Sequence, residues 1–246
     1  MTSNDHLAVA LRTAARDLLS QRSINDLQQT LAQIVRAAVD TVPGAEAGGI
    51  SMTEGGEVLS RNPTTESITK LDTLQGELRE GPCITAIEDP PRTGVVLADD
   101  LDGADADRWP QFAAAAVEAG YRSVLSTDIH TSARTRAALN LYAPEPSVFD
   151  AEAQLVAALF GNQAALLLYG SEQAVNLNHA LDSRDGIGQA KGILMERFDV
   201  SDDEAFQMLV RSSQDTNIKL VDVARWLQNE LRARRARRTE PPAPTT

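Results

Sequence analysis

Residues 183–224 read SRDGIGQAKGILMERFDVSDDEAFQMLVRSSQDTNIKLVDVA, and the rest of the chain is parsed outward from them. The spacing predicts three short helices. Ile187, Ala190 and Leu194 recur at three- and four-residue steps and mark one face of the first. Gly188 and Gly192 lie four apart on an adjoining strip. Glycine costs a helix stability, so the pair predicts another helix passing close by. Asp199-Val200 ends this helix. Ser201 caps the second, with Glu204 three positions on completing a capping box. Ala205, Phe206 and Leu209 form the apolar face of the second helix. Thr216-Asn217 break it, and either can cap the third, whose stripe is Leu220, Val223, Ala224, Leu227 and Leu231.

These residues also carry a resemblance. Ser183-Arg184, Ile187, Ala190-Lys191-Gly192-Ile193-Leu194-Met195, Ala205-Phe206, Leu209, Arg211, Ser213, Asn217, Lys219-Leu220 and Asp222-Val223-Ala224 keep a family's order and spacing. The stretch resembles the ANTAR domain, the RNA-binding output module of bacterial antitermination regulators. The resemblance implies RNA contact by the basic residues of this domain. Lys191, Arg211 and Lys219 fall on matching positions, as do Arg184 and Ser213.

The charge is unevenly shared. The chain carries a net −12, which argues against a polyanionic partner until it is divided. Residues 1–180 hold 12 Lys and Arg against 24 Asp and Glu; residues 181–238 hold 11 against 10. Nucleic-acid binding depends on local positive charge, so the acidic excess bears on the first part alone. No apolar run reaches the roughly 18 residues of a membrane span, so no membrane partner is expected, and the N-terminus, MTSNDHLAVALRTAARD, lacks the pattern of a signal peptide. The single cysteine forms no internal disulfide, which fits a reducing cytoplasm.

Ahead of the quoted stretch the pattern is mixed. Residues 7–20 predict a helix, and Ser23 caps a second one carrying Ile24, Leu27, Leu31, Ile34, Ala38 and Val42, which Pro43-Gly44 stops. Strands are expected over 47–53, 57–61, 94–98, 122–130 and 135–142. Gly55-Gly56 turns the first pair, and a polar turn at 131–134 joins the last. Helices are expected over 65–78, from Pro82 after Gly81, and over 109–120. This order predicts an α+β domain with an antiparallel sheet flanked by helices. With the turn Gly81-Pro82-Cys83 it resembles a GAF domain, a sensory fold. Ser147–Asp150 begins a long helix with no strong breaker before Asp182. Leu155, Leu159, Leu166 and Tyr169 share a stripe that Asn162 interrupts, the pattern of a rigid connector with a self-pairing seam. The expected organisation is a GAF-like sensory domain over 1–150 and a connector helix over 151–180. An ANTAR-like three-helix bundle follows over 181–232, then a basic, Pro-rich tail over 233–246. The tail's RARRARR run either adds phosphate affinity or extends the last helix, and TEPPAPTT is expected to be disordered.

Arg184 and Lys191 are seven apart and share a helical face, while Arg211 and Lys219 flank the junction of the second and third helices. Together they suit a phosphate-binding surface with unpaired bases read beside it; the alternative is solvated helix charge. Trp226, off the apolar stripe and beside Arg225, either stacks on a base or covers a dimer or domain contact. Cys83 in the first turn of a helix is either a reactive thiol or a buried inert one. His6, His130 and His179 are scattered, and no spacing suggests a metal or cofactor site. Asp99-Asp100 lacks the partners of a phosphorylation pocket. No catalytic constellation or glycine-rich phosphate loop is found, so the chain is not expected to be an enzyme. The expectation is a cytoplasmic, homodimeric regulator in which a small-molecule or protein signal at the first domain controls binding to stem-loops of nascent leader RNA. The alternative is a protein–protein signalling adaptor with a ligand-sensing first domain.

Overall fold

Val, Leu and Ala at alternating positions place five strands in one sheet. In the computed structural model, which describes residues 24–131 and 136–239, these are β1 (Ala47–Glu54), β2 (Glu57–Arg61), β3 (Val95–Ala98), β4 (Ser123–His130) and β5 (Arg136–Ala143). Their order is β2-β1-β5-β4-β3, with every neighbouring pair antiparallel. Gly55 and Gly56 take φ of 62° and 93°, the double left-handed turn that matches the twist of a two-residue hairpin, and Glu54 faces Glu57 across it. β5 is central. Ala137, Leu139, Leu141 and Ala143 point to one face and Ala138 and Tyr142 to the other, all buried.

Each face is covered by helices. On the first, α1 (Ile24–Thr41) contributes Leu31, Ile34, Val35 and Ala38, and the long helix α5 (Ala151–Phe198) contributes Ala153, Ala157, Phe160, Ala164 and Leu167. On the second lie α2 (Glu66–Leu78), α3 (Pro82–Glu88) and α4 (Pro110–Glu118), packing Ile68, Leu71, Ile87, Phe112 and Ala116. Thr65 caps α2 by accepting from the Ile68 N–H, and Pro82 sits where its missing N–H is harmless. Against β4, α5 comes so close that a Cβ at Gly161 would collide with Thr127 Oγ1. The expected helix over 7–20, the Ser23 cap, all but the first residue of the turn expected at 131–134, and the tail from 240 lie outside the described residues.

α5 corrects three expectations. It begins at Ala151, where the Asp150 carboxylate accepts from the Ala153 N–H at 2.9 Å; Ser147, at φ 57°, stands outside it. It also runs unbroken for 48 residues, so the connector and the first helix of the quoted stretch are one element. Residues 182–185 are polar, and interior glycines cost about 1 kcal/mol each, but none of these breaks a helix as proline does. Against the expectation that no apolar run reaches the length of a span, α5 is long and apolar enough to cross a membrane by length and composition, and half of that window is buried.

The chain divides into two compact units after Glu172. In the second, the end of α5 joins α6 (Asp202–Thr216) and α7 (Leu220–Thr239). Ala190, Leu194, Ala205, Leu209, Val223 and Ala224 form the core, with Ile187, Met195, Leu220 and Leu227 against it. Asp199, at φ 50°, ends α5, and the Ser201–Glu204 capping box starts α6 with both reciprocal hydrogen bonds present. Asn217, at φ 54°, closes α6 as a left-handed cap and does not cap α7; Thr216 Oγ1 instead donates to the Ser212 carbonyl. The backbone of 233–239 continues α7, as in the reading of the RARRARR run that extends the last helix.

Candidate nucleic-acid interface

On α5, the core positions Ile187, Ala190 and Leu194 leave Arg184 and Lys191 on one flank. α6 covers that flank at its lower end only: Asp202 receives a hydrogen bond from Lys191 Nζ at 2.6 Å, and the same Nζ lies 6.0 Å from the centre of the Phe206 ring. Above this contact an open groove of about 690 Å³ is lined by Ala180, Ser183, Arg184, Ile187, Lys191 and Phe206, with Asp185, Gly188 and Gln189 completing it. Two of the six sequence-derived residues, Arg184 and Lys191, therefore meet in one cleft. Lys191 keeps 21% of its side chain exposed and its partner Asp202 is more open still, so the ion pair is reached by water from the Asp202 side.

Of the other four, Arg211 and Ser213 lie on α6, Lys219 lies between α6 and α7, and Trp226 lies on α7. Ser213 Oγ donates to the Ile218 carbonyl at 2.6 Å and stiffens the loop. Arg211 and Lys219 are exposed and have no ion pair among the described residues. Trp226 is 65% exposed on α7, and Lys219 precedes that helix. Arg225 is bound to Asp222 at 2.8 Å.

Phe206 was expected in the core and is not there. Only Ala205 and Leu209 of its helix are buried, while Phe206 is 37% exposed at the mouth of the groove. A helical step of 100° from Ala205 carries it off the buried stripe; that angle was readable, but the outcome depended on where α5 lies. Gly188 and Gly192 also depart from expectation. A Cβ at either would meet nothing within 4 Å, so no neighbouring helix approaches them.

The sheet unit holds a different kind of cluster. Asp72 on α2 is fully buried and accepts from Tyr142 Oη at 2.6 Å, Asn140 Nδ2 at 3.0 Å and Ser60 Oγ at 3.1 Å. Asn140 also donates to Ser51 Oγ and accepts from Ser126 Oγ, each at 2.9 Å. Gln75 extends the network, donating to Tyr142 Oη at 3.0 Å and accepting from the Cys83 N–H at 2.9 Å. Burial pushes the Asp72 carboxyl up to about 6, against the pull of its donors. Burial first, then the Asp72 charge, pushes the Cys83 thiol up to about 12. This decides between the two readings of Cys83: desolvation outweighs the helix terminus, and the thiol is buried and protonated. Sequence reasoning missed the network because its members are spread over residues 51–142 and meet only through the sheet. A second open groove, about 680 Å³, lies between α2 and α4. Among the described residues no group of three His, Cys, Asp or Glu is placed to hold a metal ion.

Comparison with known proteins gives two family matches. The family model of the GAF domain matches residues 25–168, and that of the ANTAR domain matches residues 175–227. No curated protein matches. Among solved structures, a bacteriophytochrome from the photosynthetic bacterium R. palustris is similar at 13% identity and a TM-score of 0.53, over 83% of this chain and 46% of that one. The chain thus spans less than half of that protein. The GAF domain of a protein described as a sensor histidine kinase, from Pseudomonas syringae pv. tomato, is similar at 14% identity and a TM-score of 0.50, over 72% of this chain and 95% of that one. At such identities the likeness concerns the fold alone.

Proposed function

The chain belongs to the GAF domain family and continues into an ANTAR domain, and from that premise we propose that it is a signal-responsive RNA-binding transcription regulator, an antiterminator acting on stem-loops of nascent leader RNA. An ANTAR domain is an RNA-binding antitermination module and a GAF domain a ligand-sensing one. The observation that carries the reading is the placement of Arg184 and Lys191 in one open cleft of the ANTAR unit, with Arg211 and Lys219 left to solvent. Cations so placed neutralise phosphates and release counterions, while bases in a loop remain free to be read. Ser213 and Trp226 belong to the same surface, one by fixing the loop and one as an exposed ring. The chain works where transcripts emerge, in the cytoplasm, and no catalytic role is assigned to it. The input at the GAF domain is a small molecule or a protein. Leu155, Leu166 and Tyr169, exposed along α5, support self-pairing.

The test uses the full chain and hairpin RNAs enriched from a pool with a randomised loop. Lys191→Ala and Arg211→Glu are expected to lose at least tenfold in affinity with unchanged circular dichroism, and wild-type binding to weaken as salt is raised. Undiminished affinity in both variants would remove the surface.

A further inference from the structure

The groove beside Lys191 is built around an aromatic ring. Phe206 takes no part in the bundle core, which is closed by Ala205 and Leu209 from the same helix. Its ring instead lines the cleft together with Ile187, Ala180, the cations Arg184 and Lys191 and the carboxylate Asp185, while a second carboxylate, Asp202, pairs with Lys191 from outside that lining. An exposed ring with two cations beside it fits a flat apolar ligand joined to anions, one of which would take the place of Asp202 on Lys191. The floor is also lowered where it passes Gly188. That glycine lies inside a helix, where alanine is more stable, yet nothing among the described residues comes within 4 Å of the place of its missing Cβ.

We infer that Phe206 is the platform on which an unpaired RNA base stacks, with Arg184 and Lys191 holding the flanking phosphates and Gly188 admitting the sugar–phosphate chain close to α5. This rests on the RNA-binding reading above and gives it a specificity element. Stacking on an aromatic face is available to any base, but only to one that is unpaired and turned out of its helix. Phe206 therefore makes the site select loops over stems, while the cations serve both. Lys191 lies near enough to the ring to reach a phosphate without leaving it, exchanging Asp202 for the ligand.

The experiment measures fluorescence anisotropy of the full-length protein with an enriched hairpin and with a twin whose loop nucleotides are abasic. Phe206→Ala is expected to weaken the intact hairpin roughly 5- to 100-fold and to leave the twin within twofold of wild type. Phe206→Tyr restores the difference between the two RNAs. Gly188→Ala is expected to raise the melting temperature of the helical unit and to lower hairpin affinity, opposite signs that a structural role alone does not give. Wild-type affinity for the intact hairpin in Phe206→Ala, or an equal loss on both RNAs, would overturn the stacking role while leaving RNA binding in place. Failure of wild-type protein to enrich any hairpin would instead overturn the RNA-binding reading, and the platform with it.

Discussion

Asp72 is a carboxylate held only by neutral donors. Ser60 reaches it from β2 and Asn140 and Tyr142 from β5, and the titratable groups nearest it are Tyr142 and Cys83, both raised. No cation offsets its burial, so the folded chain holds the Asp72 proton more tightly than the unfolded chain does. The sign follows from linkage. Below the ordinary value of 3.8 both states are protonated and the folded state carries no penalty; as pH rises to about 6 that advantage is lost, and above it the buried charge costs a constant amount. Two units correspond to on the order of 3 kcal/mol. Urea denaturation of wild type and Asp72→Asn should give a stability difference that shifts against wild type between about pH 4 and pH 6 and is flat above pH 7. A difference that is flat across the whole range would show that Asp72 is not titrating there. None of this was legible in the sequence. Asp72 reads there as one polar position on an amphipathic helix, and its partners lie up to 70 residues away.

At the scale of elements, the sequence was most informative where one residue type decides the backbone. Gly55-Gly56, Pro82 and the Ser201–Glu204 pair each specify a local geometry, and each is found as read. It was least informative where nothing decides. Between Phe160 and Asp199 there is no proline, so the helix continues through the boundary expected between residues 180 and 181, and the end of α5 was legible because Asp199 and Ser201 mark it. The capping box also separates the two kinds of evidence for the ANTAR unit, because Ser201 supports α6 without lining the groove. Ser201→Ala removes the acceptor for the Glu204 N–H and should destabilise the helical unit by about 1 kcal/mol. Hairpin affinity at 25 °C should stay within twofold of wild type. A thermal melt unchanged by the substitution would mean that water replaces the cap without loss.

For the whole molecule, the question is what the exposed stripe of α5 does. Leu155 and Leu166 are 65% and 67% exposed, and Tyr169 is half-exposed on the same side, with Asn162 between them. On the other side of this helix Phe160, Ala164 and Leu167 are buried against the sheet, so the stripe is surplus to the core of its own chain. A polar residue within an apolar seam fixes register between paired helices, which is the use Asn162 fits. Pairing would also set two RNA-binding units on one assembly, and linked sites raise the effective concentration of the second contact into the millimolar range. Leu166→Glu places a carboxylate in the apolar stripe and should convert a wild-type species of twice the 26.5 kDa chain mass, measured by light scattering, into the monomer. The same variant should bind a single hairpin as wild type does and lose at least tenfold on an RNA carrying two hairpins in tandem. Equal affinity of wild type and variant for the tandem RNA would leave the stripe without a part in recognition, and a wild-type mass of one chain would remove the pairing itself.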